Sequence, residues 1–339
     1  MSLPGPAIEM SVVLVADTYS RIRAVVDGFR RQTARARLEL VLVVPSAEVP
    51  AAEAAHGAGF AAVRIVSVAS IFPLAAARAR GVRATTGPLI FIGETHSFPH
   101  PEMAEALIDA HVSPCAVVVP AFLNANPEGP LSWAAFLADY GAWIDGLAAE
   151  ELLVVPTYNA AFRRSFLLQL GDRLEAALAQ GEAMLAGLRA LGGRACFEPT
   201  ARIDHANVSR FGPWMHQRYV VGRIVAANRS ARWPIARRMA YVFGASFIPP
   251  VVLARQREGV REAWRKRRLP AGTLPALLLG SVVKAAGEAV GYALGARDAA
   301  RDRLDEYELG KLDYTTGVTS DAVRGCDLRR ATIGGKEGA

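Results

Sequence analysis

Cysteine is scarce in this chain: only Cys115, Cys196 and Cys326 occur, widely spaced, with no C-x-x-C and no Cys/His cluster. That excludes a disulfide-dense scaffold and a thiolate zinc site, and it predicts unpaired thiols in a reducing compartment. The N-terminal residues Met1 to Glu9 lack a basic segment, and the apolar stretch Ser11–Ala16 is short, so it reads as a strand and not as a signal peptide. No G-x-G-x-x-G follows that strand, which argues against a dinucleotide enzyme. Acids are nearly missing from Arg210 to Arg268, where Glu258 and Glu262 stand alone among recurrent Arg and Lys. Such a one-sided stretch points to a polyanionic neighbour, with anionic lipid and nucleic acid as the two candidates. What is plentiful is apolar side chain, 52% of the 339 residues, enough for a large core and too much for disorder over most of the chain.

The first 120 residues alternate apolar runs with amphipathic segments. Strands are expected at Ser11–Ala16, Leu38–Val44, Ala62–Val68, Pro88–Ile92 and Cys115–Pro120, because these runs lack strict polar alternation, as in strands covered on both faces. Helices are expected around Ser20–Gln32, Phe72–Ala84 and Pro101–His111, giving a βαβ series and a Rossmann-like half. Ligands of such sheets bind beyond the carboxyl ends of the strands, which places Asp17–Tyr19, Pro45–Ser46 and Gly93–His96 on one rim. Further on, Ser132–Glu150 reads as helix, Leu152–Asn159 as extended, Arg163–Leu170 and Arg173–Leu191 as two helices, and Arg194–His205 as a strand. From Phe211 the pattern is helical and basic, and the polar C-terminal end reads as mobile.

In order along the chain stand S-V-V-L-V-A-D-T-Y-S-R (11–21), Ala77-Arg78-Ala79-Arg80-Gly81, L-I-F-I-G-E-T-H-S-F-P-H-P (89–101), Tyr158-Asn159-Ala160-Ala161-Phe162-Arg163-Arg164, Gly181-Glu182 and P-T-A-R-I-D-H (199–205). This series resembles the family 2 glycosyltransferases over about residues 10–230. The resemblance implies a GT-A fold: an α/β, Rossmann-like mixed sheet flanked by helices, here over 1–230, followed by a helical membrane-associating region at 231–297 and a flexible tail at 298–339. It departs from the family where Pro45-Ser46 replace an acidic pair, Glu94-x-His96 replaces D-x-D, and Ala79 replaces an Asn.

The implied reaction moves a sugar from a nucleotide diphosphate sugar to a glycan or lipid-linked acceptor with inversion. It needs a base for the acceptor hydroxyl and positive charge for the departing diphosphate. By resemblance Glu182 is the base, with Glu175 as fallback, and Glu94, His96 and His205 meet a divalent metal. A carboxylate with imidazole leans to Mn²⁺ over Mg²⁺. Asp17 and Tyr19 are expected at the base or ribose. Arg78, Asn159, Arg163 and Arg218 are expected at the donor, with Arg164 and Arg223 as lesser candidates. If the altered Glu94-x-His96 binds no metal, the alternative is a silent homologue that binds nucleotide or glycan and recruits partners. A nucleotidyltransferase would need a basic Gly-rich turn at Ala16–Ser20, which is not there.

Met239–Ala254 is interrupted by Pro249-Pro250, and Leu269–Gly295 carries Lys284 and Glu288, so neither reads as a membrane span. Flanked by Arg255, Arg257, Arg261 and Arg265–Arg268, both read as helices lying in or on the bilayer at the cytoplasmic face of the plasma membrane, the alternative being a helical hairpin that packs on the catalytic domain or on a second copy. Trp and Phe there accompany long apolar runs, so no nucleic-acid platform is expected.

Overall fold

The computed structural model describes residues 7–56, 59–267, 269–296 and 298–318. Among these residues eight strands are formed: β1 (Met10–Val15), β2 (Leu38–Pro45), β3 (Ala62–Val68), β4 (Leu89–Ile92), β5 (Ser97–Pro99), β6 (Cys115–Asn124), β7 (Ala160–Arg163) and β8 (Arg194–His205). The helices are α1 (Tyr19–Arg30), α2 (Val49–Ala52), α3 (Leu74–Ala84), α4 (Met103–Ala110), α5 (Pro130–Tyr140), α6 (Arg164–Gln169), α7 (Leu174–Ala179), α8 (Gly181–Ala190), α9 (Phe211–Ser230), α10 (Ile235–Gly244), α11 (Ile248–Arg267), α12 (Thr273–Leu294) and α13 (Asp298–Leu309). Among the described residues two compact units result: 7–123 with Ala148–Asp204, and Asn124–Leu147 with 205–318. The division falls inside β8, whose last residue is His205.

The first unit is an α/β layer built on one mixed sheet in the order β3-β2-β1-β4-β7-β6-β8-β5. Strands β1, β2, β3 and β4 run parallel, in register from Met10 opposite Leu38 and Leu89. All six residues of β1 are buried, and all but Ser11 are apolar, as expected of a strand covered on both faces. Helix α3 lies close on this sheet because residue 81 is glycine: a β-carbon there would crowd Val13 and Val43. The sheet turns mixed at β7, antiparallel to both β4 and β6. Neither β7 nor β5 was expected from the sequence; at four and three residues they show no periodicity. The helix expected over Arg173–Leu191 is broken at Gln180, which is extended at φ −149°, ψ 126°.

Two expectations need correction. Cys115 and Cys196 are not unpaired: they form a disulfide across neighbouring strands β6 and β8, with Cα atoms 6.0 Å apart. The basis for inferring a reducing compartment is thereby lost. The tail expected from residue 298 instead begins as helix α13 and continues into a short helical turn at Lys311–Tyr314. The rest of that expectation, like Cys326, lies outside the described residues.

The second unit is helical. Helices α9 and α12 meet backbone to backbone, since a side chain at Gly222 would strike the Lys284 carbonyl, and one at Gly287 or Gly291 would strike the carbonyls of Tyr219 or Arg223. Arg218 is buried, with Nη2 2.6 Å from Asp139 Oδ1; desolvation of the Asp139 carboxylate raises its pKa, but the guanidinium outweighs this and holds it below the usual value. Lys284 and Arg229 both pair with Glu288, so the charges on α12 are met inside the bundle.

Labelling of the denatured, unreduced protein should modify one thiol per chain, Cys326; modification of all three cysteines would show that the pair had not formed. A second prediction concerns His111, which is buried and donates from Nδ1 to the Leu107 carbonyl at 2.8 Å. Burial pushes its pKa down from 6.5 to about 4. Its folded pKa being depressed, the stability it contributes is complete above the unfolded value and lost as pH falls towards 4, by about 3 kcal/mol. His111→Gln should flatten the dependence of Tm on pH across that window, and an unchanged slope would refute the assignment.

Candidate functional site

β4 ends at Ile92, and the chain turns through residues 93–96 before β5 begins. Glu94 and His96 therefore do not share a face by strand pleating, as the sequence led us to expect. The turn itself brings them together, with His96 Nε2 3.4 Å from Glu94 Oε2, both buried. His96 Nδ1 lies 3.2 Å from the Thr95 hydroxyl.

Asn159, just before β7, stands opposite the end of β4. Its backbone N–H donates to the Ile92 carbonyl at 2.6 Å, and its φ of 53° is left-handed, a region Asn tolerates better than most residues. From there its amide Nδ2 donates to Glu94 Oε2 and, at 2.9 Å, to Ser97 Oγ. Ser97 Oγ in turn donates to Glu94 Oε2 at 3.2 Å. Asn159 was expected to touch the donor; the observed contacts make it the residue that holds the Glu94 carboxylate.

His205 closes β8. Its Nδ1 is 2.8 Å from Asn207 Oδ1, and its ring packs on Tyr140 at a centroid distance of 4.2 Å. Since an amide oxygen only accepts, that bond places the proton on Nδ1 and leaves Nε2 as the coordinating nitrogen. Asn207 is itself fixed: its Nδ2 donates to Asn124 Oδ1 and to the His205 carbonyl, and its N–H donates to Asn126 Oδ1. Neither Asn207 nor Asn124 carries a sequence signal beyond proximity to the His205 motif.

Glu94, His96 and His205 are all buried, and each offers one ligand atom, these atoms lying within 4.8 Å of one another. Ligands of one ion with bonds of about 2.1 Å lie at most about 4.2 Å apart, so a small side-chain adjustment closes the set on a cation. Two imidazoles and a carboxylate suit a divalent transition metal such as Mn²⁺ better than Mg²⁺. The residues present thus fit the expected metal.

The remaining expected residues divide. Arg78, on α3, stacks over the Tyr158 ring at 4.5 Å, and its Nε is buried without a hydrogen-bond partner among the described residues. Asp17 follows β1 on the expected rim, where it accepts from the Thr18 N–H and pairs with Arg21 at 3.1 Å. Tyr19 is buried with the core, and burial raises its pKa, so no ring face is offered for stacking. Its N–H donates to Glu48, an acid on the same rim that sequence reasoning passed over.

Arg163 is a correction. The register sets it opposite Leu89, the far end of β4 from Glu94, and its guanidinium donates to the carbonyls of Cys115, His111 and Ser113. Arg164 likewise donates to Thr85 O at 3.0 Å. Arg218 is also a correction, being committed to Asp139, and Arg223 donates to the Gly295 carbonyl at the end of α12. Glu182 is exposed in the first turn of α8. That turn abuts the segment before Asn159, since a β-carbon on Gly181 would stand 3.1 Å from the Val155 carbonyl. Glu175 lies on α7 and pairs with Arg83 at 3.7 Å.

No protein-family profile matches the chain, and no curated protein matches it. Among solved structures it is similar to a crystal structure of GalNAc-T7 with UDP, GalNAc and Mn²⁺, at 17% identity and a TM-score of 0.45, over 59% of this chain and 44% of that one. The chain thus spans less than half of that protein's length. It is also similar to the mannosyltransferase PcManGT from Pyrobaculum calidifontis in complex with GDP-Man and Mn²⁺, at 16% identity and a TM-score of 0.44, over 98% and 87% of the two chains. Both TM-scores are below 0.5, so the functional reading stands on the chain's own residues.

If Asn207 sets the tautomer of His205, Asn207→Ala should weaken Mn²⁺ affinity about tenfold to a hundredfold by calorimetry, with the apo protein still folded. An unaltered Mn²⁺ titration would remove that role.

Proposed function

We propose that this chain is an inverting glycosyltransferase, moving a sugar from a nucleotide diphosphate sugar to a lipid-linked or envelope glycan acceptor at a membrane surface. The observation that carries the reading is the buried set of Glu94, His96 and His205, with Glu94 and His96 just beyond the carboxyl end of a parallel strand, where α/β sheets bind ligands. A divalent cation held there supplies positive charge that a departing diphosphate requires. Asn159 and Ser97 keep the Glu94 carboxylate aimed, and Asn207 does the same for His205. Arg78, with a buried nitrogen still to be satisfied, is suited to a phosphate oxygen. Asp17 serves the ribose or base.

Glu182 is the proposed base. It takes the proton of the acceptor hydroxyl while that oxygen bonds to the anomeric carbon and the nucleoside diphosphate leaves from the opposite side. Its exposure and its place beside the segment leading to Asn159 support this role. Attachment to a membrane is supported by the exposed apolar and basic helices of the second unit.

The test is a transfer and hydrolysis assay of the full chain over a panel of nucleotide diphosphate sugars with Mn²⁺. Glu94→Gln should cost at least about a hundredfold in turnover, and Glu182→Ala should abolish transfer with donor binding kept. Undiminished turnover by Glu94→Gln in excess chelator would remove the metal role. Nucleotide binding without turnover of any donor would identify a silent homologue instead.

A further inference from the structure

We propose that the helical unit docks in the plane of an anionic lipid surface, through Phe243, Phe247 and Val251 together with Leu274, Leu278 and Val282, and does not cross the bilayer. This deepens the membrane part of the proposed function and rests on it. Eleven of the seventeen exposed large apolar side chains among the described residues lie from Ile235 to Leu294, so the exposure belongs to this segment and not to the chain at large. Helix α10 buries none of its residues. Phe243, Phe247 and Val251 recur every fourth residue from the end of α10, through a short helical turn at Ala245–Phe247, into α11; Leu274, Leu278 and Val282 do the same on α12. Spacing of four places each trio on one helical face.

Charge selects the occupant. Residues 231–283 hold ten Arg and Lys against two Glu. Glu262 pairs with Arg265 and Lys266 and Glu258 with Arg257, while the side chains of Arg255, Arg257 and Arg261 are exposed. A second copy of this surface would meet like charge, whereas an anionic leaflet offers both apolar depth and the opposite sign.

Packing argues against a span. Helix α12 is, among the described residues, the one helix long and apolar enough to cross a membrane, yet 44% of its most apolar stretch is buried. That buried face is locked to α9 through Gly287 and Gly291, and its Lys284 and Glu288 are paired within the unit. A spanning α12 would have to give up these contacts.

The test is flotation of the full-length protein with vesicles of phosphatidylcholine alone or doped with phosphatidylglycerol. Wild type should float with the doped vesicles, lose binding in high salt, and be released by alkaline carbonate. Phe243→Glu/Phe247→Glu should lower partitioning at least about tenfold, as should Leu278→Glu on the separate helix. Arg255→Glu/Arg257→Glu should lose only the preference for doped vesicles. Equal flotation of all variants, or carbonate-resistant wild type, would overturn the proposal. Mn²⁺-induced thermal stabilisation, measured on each variant, reports folding. Transfer to a water-soluble acceptor by protein that fails to float would sink the docking surface and leave the transferase reading standing.

Discussion

The hydrogen bond from Asn159 to Glu94 is the constraint on which the site depends. A buried carboxylate is costly unless its oxygens are met, and here one oxygen is met by an amide held rigidly in a left-handed corner. That corner exists because β7 begins there, antiparallel to β4, and because the Asn159 N–H closes onto the Ile92 carbonyl. Backbone pairing of the sheet is thus converted directly into the position of one carboxylate oxygen. His205 is fixed by the same logic through a different ladder, in which Asn124 and Asn126 accept from Asn207 and Asn207 presents its amide oxygen to the ring. Both devices hold the ligand side chains close to a coordinating arrangement before any cation arrives, so that only a small adjustment is left to binding.

Arginine shows how context divides one residue type into separate roles. Arg163, Arg218 and Arg223 all sit in stretches that resemble a donor-binding motif, yet each spends its guanidinium on the fold. Three carbonyls near the start of β6, a carboxylate on α5 and the last turn of α12 are their partners. Arg78 differs: its guanidinium lies over the Tyr158 ring, with a buried nitrogen unsatisfied among the described residues. A buried donor without a partner costs about 1–3 kcal/mol, an expense better explained by a ligand than by packing. The helical unit poses the converse case. Its apolar groups are exposed although glycine contacts between α9 and α12 already make a compact bundle, so the exposure is not a failure of folding.

The sequence by itself determined the parallel half of the sheet: β1, β2 and β4, covered on both faces, are apolar but for Ser11 and Glu39 and lie within one residue at each end of the runs expected, and β3 is found at Ala62–Val68 as expected, as is β8 at Arg194–His205. It also determined the order of the motifs, and with it Glu94, His96 and His205 as the ligand candidates. Tertiary structure alone decided what these residues touch. Strands of three and four residues have no period to read, so β5 and β7 emerged only when pairing partners were present. Cys115 and Cys196 lie 81 residues apart, and only the adjacency of β6 and β8 makes them neighbours. Guanidinium groups are long and find partners far away in sequence, so whether an Arg serves the fold or a ligand is settled by three-dimensional proximity, which local spacing does not encode.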